Sequence, residues 1–361
     1  MKRLLSFARL IKALSKDFLF LYRKKGFRAF PSFYNYIKLH FDRKMMVQEF
    51  VNYEQALKKE DFRKTFLTYQ ESCEYWRVLN PIRHAILARN KFITHVLLEK
   101  VGIPMPELYA YYNPEISDSS VDLVRKELES KRVSSCVVKP AVDGAHGSGV
   151  FVCKSIIYNS DDCILIKSNE EQVSLKEYCE KNKKTPLLFE SKVIQTEQIG
   201  RINRSSVNTV RFMTALYPSG ESRVIATFMK IGRMGSDIDN AGGGGNVDCA
   251  IDVNTGVCYN ALQFDSYEHI SPLERHPDSH EKINGIQIQD WDSIKSKLCL
   301  YQSKLPYIKV IGWDVALTDN GPLIIEINNW WDSTGQLFIG KGWREEVRDC
   351  YLAWKDYYKN K

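Results

Sequence analysis

The side chains best suited to chemistry in this 361-residue sequence gather near its carboxyl end, in GWDVALTDNGPLIIEINN at residues 312–329. Asp314, Glu326 and Asn328 offer hard oxygen donors of the kind Mg²⁺ takes, and an ion with few protein ligands keeps positions free for phosphate oxygens. Asp319-Asn320-Gly321 has the chemistry of a turn, so the stretch reads as a hairpin. If an odd-numbered turn sets residue 314 opposite 326, Asp314, Glu326 and Asn328 share one face. A hairpin with two solvated carboxylates is the commoner arrangement. Against it, Glu326 follows Leu323, Ile324 and Ile325 and precedes Ile327, surroundings in which an ionised carboxylate needs a cation or strong donors.

A second stretch, VVKPAVDGAHGSGVFV, puts Lys139 at the end of an apolar strand, followed by Gly144, His146, Gly147, Ser148 and Gly149 and then a return strand from Val150. Such a flap can wrap phosphate oxygens with backbone N–H groups while the lysine supplies a point charge. An ordinary glycine-rich hairpin competes with that reading. The Walker pattern G-x-x-x-x-G-K-[ST] does not occur. A third stretch, KIGRMGSDIDNAGGGGNVD, offers Lys230, Arg233 and Asn240 for a carboxylate or sugar hydroxyls, with Gly242 to Gly245 permitting close approach; a mobile connection between Ile231 and Val247 is the alternative. Trp330 and Trp331 either stack on a sugar or pack. His146 either touches a phosphate or has no role, and His276 precedes Pro277 in a turn.

These residues need strands to hold them. Short β-branched runs predict strands over 136–139, 150–153, 163–166, 191–199, 210–217, 223–231, 247–253, 307–317 and 322–328. Helices are expected over 90–101, ended by Gly102 and Pro104, and over 174–181, 291–302 and 343–358, the last with Val347, Tyr351, Trp354 and Tyr358 in one apolar stripe. The chain is therefore mixed α/β in composition of elements, with no internal repeat of 20–50 residues.

Hydrophobic residues make up 44% and charged residues 26%, which excludes a disordered chain, a collagen-like repeat or a membrane bundle. Nine cysteines without a CxxC pair suit a reduced, cytosolic chain. The formal charge of +7 is lopsided: residues 1–50 hold twelve Lys or Arg against Asp17, Asp42 and Glu49, a net of +9, so the rest is net −2. Nucleic-acid binding along the whole chain is therefore not indicated. Leu4, Leu5, Ala8, Ile11, Leu14, Phe18 and Leu19 recur at helical spacing among basic residues. That basic amphipathic helix either docks residues 1–30 on an anionic membrane surface or packs on its own domain with a solvated face. No apolar run long enough to span a membrane occurs, and Lys12, Lys16 and Asp17 interrupt the only stretch resembling a signal peptide.

Taken in order, Val138-Lys139-Pro140 with its Gly-rich loop, Ser206-Val207-Asn208-Thr209-Val210-Arg211, Asp239-Asn240 before a glycine cluster, and Gly312-Trp313-Asp314 with Glu326-x-Asn328 resemble the ATP-grasp enzymes, and within them the sugar-transfer-associated group. The resemblance covers about residues 80–345. It implies an α+β, ATP-grasp fold with two α+β lobes gripping the nucleotide: an N-terminal helical segment at 1–75, a catalytic region at 76–345 with a lid at about 105–196, and a C-terminal helix at 346–361. It further implies that Lys139 and Lys91 reach the α and β phosphates of ATP, that the neighbourhood of Glu197 meets the adenine edge with Gln198 and Ile199 contributing backbone groups, and that Arg211 lies near the γ-phosphate. Asp314, Glu326 and Asn328 would hold two Mg²⁺ ions. Better-known amino-acid ligases of this fold carry an arginine where Gly312 stands, so Arg211 or Arg233 performs that task or the chemistry differs.

The expected activity is ATP- and Mg²⁺-dependent joining of a carboxylate to an amine through an acyl phosphate, on a small-molecule or lipid-linked glycan precursor in surface polysaccharide assembly, such as capsule or O-antigen. The expected location is cytoplasmic, at the inner face of the membrane if the basic helix docks there. The alternative activity is a sugar kinase on the same fold, with Asp237 or Asp239 accepting the hydroxyl proton.

Overall fold

A computed structural model describes residues 2–115, 120–142, 149–239 and 245–361, with side chains from Arg9 onward. Thirteen strands are present among them: β1 Leu108–Tyr112, β2 Cys136–Pro140, β3 Phe151–Tyr158, β4 Cys163–Lys167, β5 Gln172–Ser174, β6 Leu187–Glu190, β7 Val210–Leu216, β8 Ser222–Ile231, β9 Val247–Ile251, β10 Cys258–Ser266, β11 His269–Pro272, β12 Val310–Thr318 and β13 Gly321–Asn328. They form two antiparallel sheets, one of six strands in the order β1-β6-β2-β3-β4-β5 and one of seven in the order β11-β10-β9-β8-β7-β12-β13. The expected α+β, two-lobed organisation with an N-terminal helical segment is what the chain adopts.

The smaller sheet closes on a core of its own. Val124 and Leu128 of helix Ser120–Ser130, Leu175 and Cys179 of helix Leu175–Lys181, and strand residues such as Val138 and Phe189 are all buried together. On the larger sheet, helix Trp291–Ser303 buries Trp291, Ile294 and Leu298 against Phe212 and Trp313. Trp313 is fully buried and donates through Nε1 to Thr214 Oγ1 at 2.7 Å; Thr214 donates to Gln302 Oε1 at 2.6 Å, and Gln302 Nε2 donates to the Ile308 carbonyl at 2.8 Å. A satisfied chain of this kind fixes β12 against the helix, because each buried polar group left without a partner costs free energy.

The hairpin β12–β13 brings Asp314 opposite Glu326 and Gly312 opposite Asn328, but not through an odd-numbered turn. Thr318 pairs with Gly321, so the turn is the two residues Asp319-Asn320, and a bulge between Asp314 and Val315 supplies the one-residue shift that sets 314 against 326. Asn80 ties its two open ends together: its Nδ2 donates to the carbonyls of Val310 and Asn329, both at 2.7 Å, and its Oδ1 accepts from the N–H groups of Lys309 and Val310.

Between the sheets the chain departs from expectation. Residues 191–199 do not form a strand: β6 ends at Glu190, residues 191–196 run without sheet partners, and Glu197–Gly200 is one helical turn. A crossing segment cannot pair with either sheet along its length, and Thr196 N–H to the Leu317 carbonyl, at 2.8 Å, marks its arrival at the larger one. Lys91 opens helix Lys91–Lys100, within the expected span, and its N–H donates to the Ala141 carbonyl at 2.7 Å.

The N-terminal helices Lys2–Lys25, Ala29–Arg43 and Val47–Leu57 bury Leu21, Ala29, Tyr36 and Phe50 in a core that Tyr267 and Leu337 also join. No helix among the described residues is long and apolar enough to cross a membrane.

Candidate active site

The alternation of a strand puts Arg211, Lys230, Asp314, Glu326 and Asn328 on one face of four neighbouring strands. Arg211 stands directly opposite Asp314 across β7 and β12 and grips it with two bonds, Nε to Oδ1 at 2.6 Å and Nη2 to Oδ2 at 3.0 Å. Lys230 Nζ reaches the same Oδ1 at 3.0 Å, and Asn328 Nδ2 donates to Oδ2 at 3.3 Å. Asp314 is buried; burial alone would raise its pKa, but Arg211 and Lys230 outweigh it and hold the carboxyl well below the usual range. Beside it, Glu326 Oε1 lies 3.3 Å from Lys91 Nζ, so the first residue of helix Lys91–Lys100 meets the end of β13.

The smaller sheet contributes Lys139. Lys139 is 7% exposed, and its ammonium lies 2.7 Å from Glu190 Oε2 and reaches across to the Ile325 carbonyl at 3.4 Å. Burial pushes the Glu190 carboxyl up, yet Lys139 and His95 together bring it below its ordinary value; His95 Nδ1 lies 3.6 Å from the other oxygen. A lysine aligned by a buried carboxylate is a fixed positive charge at the junction of the lobes.

These groups line one cavity of about 860 Å³. The smaller sheet and the crossing segment wall it with Val137, Val152, Val193 and Ile194, an apolar end suited to a flat ring; Lys139, Lys91, Arg211 and Lys230 supply positive charge, and Phe228, Trp331, Phe338 and Trp343 line it on the side of the larger sheet. The oxygens of Asp314, Glu326 and Asn328 already sit among ammonium and guanidinium groups, the surroundings that a hard divalent cation would share or replace.

Several expected site residues stand elsewhere. Glu197 touches the cavity but pairs with Arg204; Gln198 points to the Gln287 carbonyl at 2.8 Å, and Ile199 is fully buried in the core of the larger sheet. The crossing segment at Ser191 to Gln195 lines the cavity alongside Glu197. Arg233 makes a two-bond pair with Asp278, each bond 2.8 Å, and does not line the cavity. Lys230, read as an acceptor-side group, turns instead to Asp314. His276 is buried, with Nε2 2.9 Å from the Gly232 carbonyl, and desolvation lowers its pKa, so it is a packing residue. Gly149 is described and has a positive φ of 77°. Gly144, His146, Gly147, Ser148, Asn240 and Gly242 to Gly244 lie outside the described residues.

Gly312 has a local explanation. A Cβ there would stand 3.4 Å from Arg211 Cδ and 3.5 Å from its Nη1, so the guanidinium lies over the glycine and fills the space a long side chain would take. Glu190 was not singled out from sequence, although it ends an apolar run, Leu187-Leu188-Phe189, as Glu326 follows Ile324-Ile325.

The pattern described as sugar-transfer associated ATP-grasp matches residues 70–350. The chain belongs to that family. The match takes in both sheets and every described site residue, and leaves the first four α-helices of this ATP-grasp protein, the fourth being Glu60–Thr65, outside it. Distant likenesses to solved structures include the ATP-grasp ligase PsnB complexed with a minimal precursor, at 14% identity and a TM-score of 0.41, covering 77% of this chain and 63% of that one. They also include the D-cycloserine synthetase DcsG, at 12% identity and a TM-score of 0.43 over 77% of this chain and 73% of that one. D-alanine–D-alanine ligase from Bacillus anthracis is similar at 12% identity and a TM-score of 0.39, covering 76% and 69%. This chain thus spans less than two thirds of the PsnB chain it matches. No curated protein matches the sequence.

Proposed function

We propose that this protein is an ATP-dependent ligase that joins a carboxylate to an amine through an acyl phosphate, on a sugar or glycan-precursor substrate in surface polysaccharide assembly. One observation carries the reading: Lys139, Lys91, Arg211 and Lys230 converge from both lobes on Asp314, Glu326 and Asn328 in a single cavity.

In this reading the apolar end of the cavity, at Val193 and Ile194, receives the adenine, and Lys139 and Lys91 neutralise the α and β phosphates. Asp314, Glu326 and Asn328 would hold Mg²⁺, which would supply charge neutralisation on the transferring phosphoryl group. Arg211, held over Gly312 by Asp314, presents its remaining N–H groups to the oxygens on which charge builds as the substrate carboxylate attacks the γ-phosphate. A free amine then attacks the acyl carbon and displaces inorganic phosphate, so the products are ADP, phosphate and an amide. Because Arg211 occupies the space over Gly312 and faces the cavity, it rather than Arg233 takes the role that the missing arginine has elsewhere in the fold. The aromatic wall of the cavity, with Trp331 and Trp343, is the acceptor side.

The kinase alternative needs a carboxylate beside the acceptor, and both candidates line the cavity, with burial raising the Asp239 pKa; each also has a structural bond, so the reaction products decide. Asp237 accepts from Ser168 Oγ at 2.7 Å and Val152 N–H at 3.2 Å, while Asp239 accepts from Thr209 N–H and Oγ1 at 2.7 and 2.5 Å. The test is ADP release from ATP and Mg²⁺ over a panel of uronic acids and amines, with hydroxylamine added in parallel. A hydroxamate from a carboxylate substrate is expected; a stable phosphate ester on a sugar hydroxyl, with no hydroxamate, would overturn the ligase reading.

A further inference from the structure

The second helix of the chain, Ala29–Arg43, buries one face only. Ala29, Ser32 and Tyr36 are buried, whereas Phe30, Tyr34 and Phe41 are 59, 62 and 59% exposed, and Phe27 in the turn before it is 81% exposed. At about 100° per residue, positions 27, 30, 34 and 41 fall within one narrow stripe of the helix surface. Rings connect that stripe to the first helix: Phe18 lies 5.2 Å from Phe30 and 6.3 Å from Tyr22, and Tyr22 lies 6.1 Å from Phe27 between centroids. Isolated exposed apolar side chains are ordinary, but a contiguous aromatic strip is a contact surface.

Its charge selects the partner. Lys12, Lys16, Arg23, Lys24, Arg28 and Lys38 are exposed on the same two helices and meet no carboxylate among the described residues. The nearby acids are taken: Asp17 accepts from Tyr36 Oη at 2.7 Å, Asp42 pairs with Arg43, and Glu54 pairs with Lys25. Aromatic rings flanked by unpaired ammonium and guanidinium groups match the boundary between acyl chains and anionic headgroups, where rings sit at headgroup depth and each basic group gains from the surface potential. A second copy of this face would set the same positive charges against one another.

We propose that the helical hairpin of residues 9–43 docks this protein on an anionic phospholipid bilayer, with Phe27, Phe30, Tyr34 and Phe41 seated among the headgroups. The docking layer shares its core with Leu337 and Tyr267, and Tyr53 Oη lies 2.9 Å from Ser333 Oγ, next to Thr334 and Gly335 of the cavity wall. The aromatic end of the cavity therefore rests on the layer that meets the lipid.

Flotation with vesicles of phosphatidylcholine alone, and of phosphatidylcholine with phosphatidylglycerol, tests this on the full chain without nucleotide, so its failure leaves the ligase reading untouched. Binding is expected only to the anionic vesicles and is expected to weaken as salt rises. The variant Phe27→Ser/Phe30→Ser/Tyr34→Ser should bind at least about ten-fold more weakly, with unchanged melting temperature and ADP release. A charge variant, Lys24→Glu/Arg28→Glu/Lys38→Glu, should lose the preference for anionic lipid. Absence of binding to anionic vesicles, equal binding by the serine variant, or a dimer in solution that the serine variant splits would each overturn the proposal, the last by assigning the face to a second copy.

Discussion

At the scale of single residues the site is a balance of buried charges, and that balance makes its members separable by experiment. Lys139 and Glu190 are 7% and 2% exposed and face each other at 2.7 Å. Replacing Lys139 with Met leaves a buried carboxylate whose main cationic partner is gone, a change that typically costs about 3–5 kcal/mol. The second change, Glu190→Gln, removes the stranded charge, so Lys139→Met/Glu190→Gln should recover most of that loss in urea unfolding. Neither variant should recover nucleotide affinity, because the ammonium is absent from both. ADP binding followed by calorimetry checks this: wild-type affinity in either variant would remove Lys139 from the phosphate site. Asp314 differs in kind. It is shared by Arg211 and Lys230, so Asp314→Asn strands two cations at once and should lower both stability and ADP release, the latter at least about a hundred-fold. Glu326, about a third exposed, should lose activity as Glu326→Gln with little change in unfolding.

At the scale of elements, what was legible in the sequence follows from how local the signal is. The hairpin was readable because alternation and turn residues are local, and Asp314 does face Glu326; the cause of that register was not, since the turn is the two residues Asp319-Asn320 and a bulge between Asp314 and Val315 makes up the difference. The crossing segment was misread because Val193 and Ile194 look like strand residues, although a chain leaving one sheet for another has no neighbour to pair with. Sheet order, with β6 between β1 and β2, is a tertiary fact with no local signature. Glu190 was discoverable by the signal that found Glu326, a carboxylate closing an apolar run. The N-terminal helices hold one more element-scale consequence. Glu49 on helix Val47–Leu57 is buried, and desolvation, reinforced by Glu71, lifts its pKa to about 7 despite the bond its carboxylate accepts from Tyr69 N–H at 2.7 Å. Its folded pKa lies above its unfolded value of 4.5, so the native state binds the extra proton. Stability from this group is present below about pH 4.5 and is lost as pH rises through 7, by about 3 kcal/mol in all. Glu49→Gln should flatten that part of the pH profile in urea unfolding; an unchanged slope between pH 5 and about 7 would show that Glu49 ionises freely.

For the molecule as a whole, function depends on two lobes that meet over the cavity and are joined by residues 191–196. That segment carries its own readout. Ile194 is 83% exposed although it lines the apolar end of the cavity, and Lys192 beside it is exposed in a stretch without sheet partners. An adenine ring laid against Ile194 would cover apolar surface that is now wet, and would draw Lys139 of the smaller sheet and Asp314 of the larger one toward a common phosphate tail. Trypsin should therefore cut early after Lys192 in the free protein, and ADP with Mg²⁺ should slow that cut by the fraction of molecules bound. Ile194→Ser removes the apolar cover and leaves the charges in place, so it should weaken ADP binding by about ten-fold. Inorganic triphosphate, which has no ring to lose, should bind Ile194→Ser as it binds the wild type. Equal protection by triphosphate and by ADP in the wild type would mean that the lobes close on phosphate alone, and that the crossing segment is a tether without a part in recognising the base.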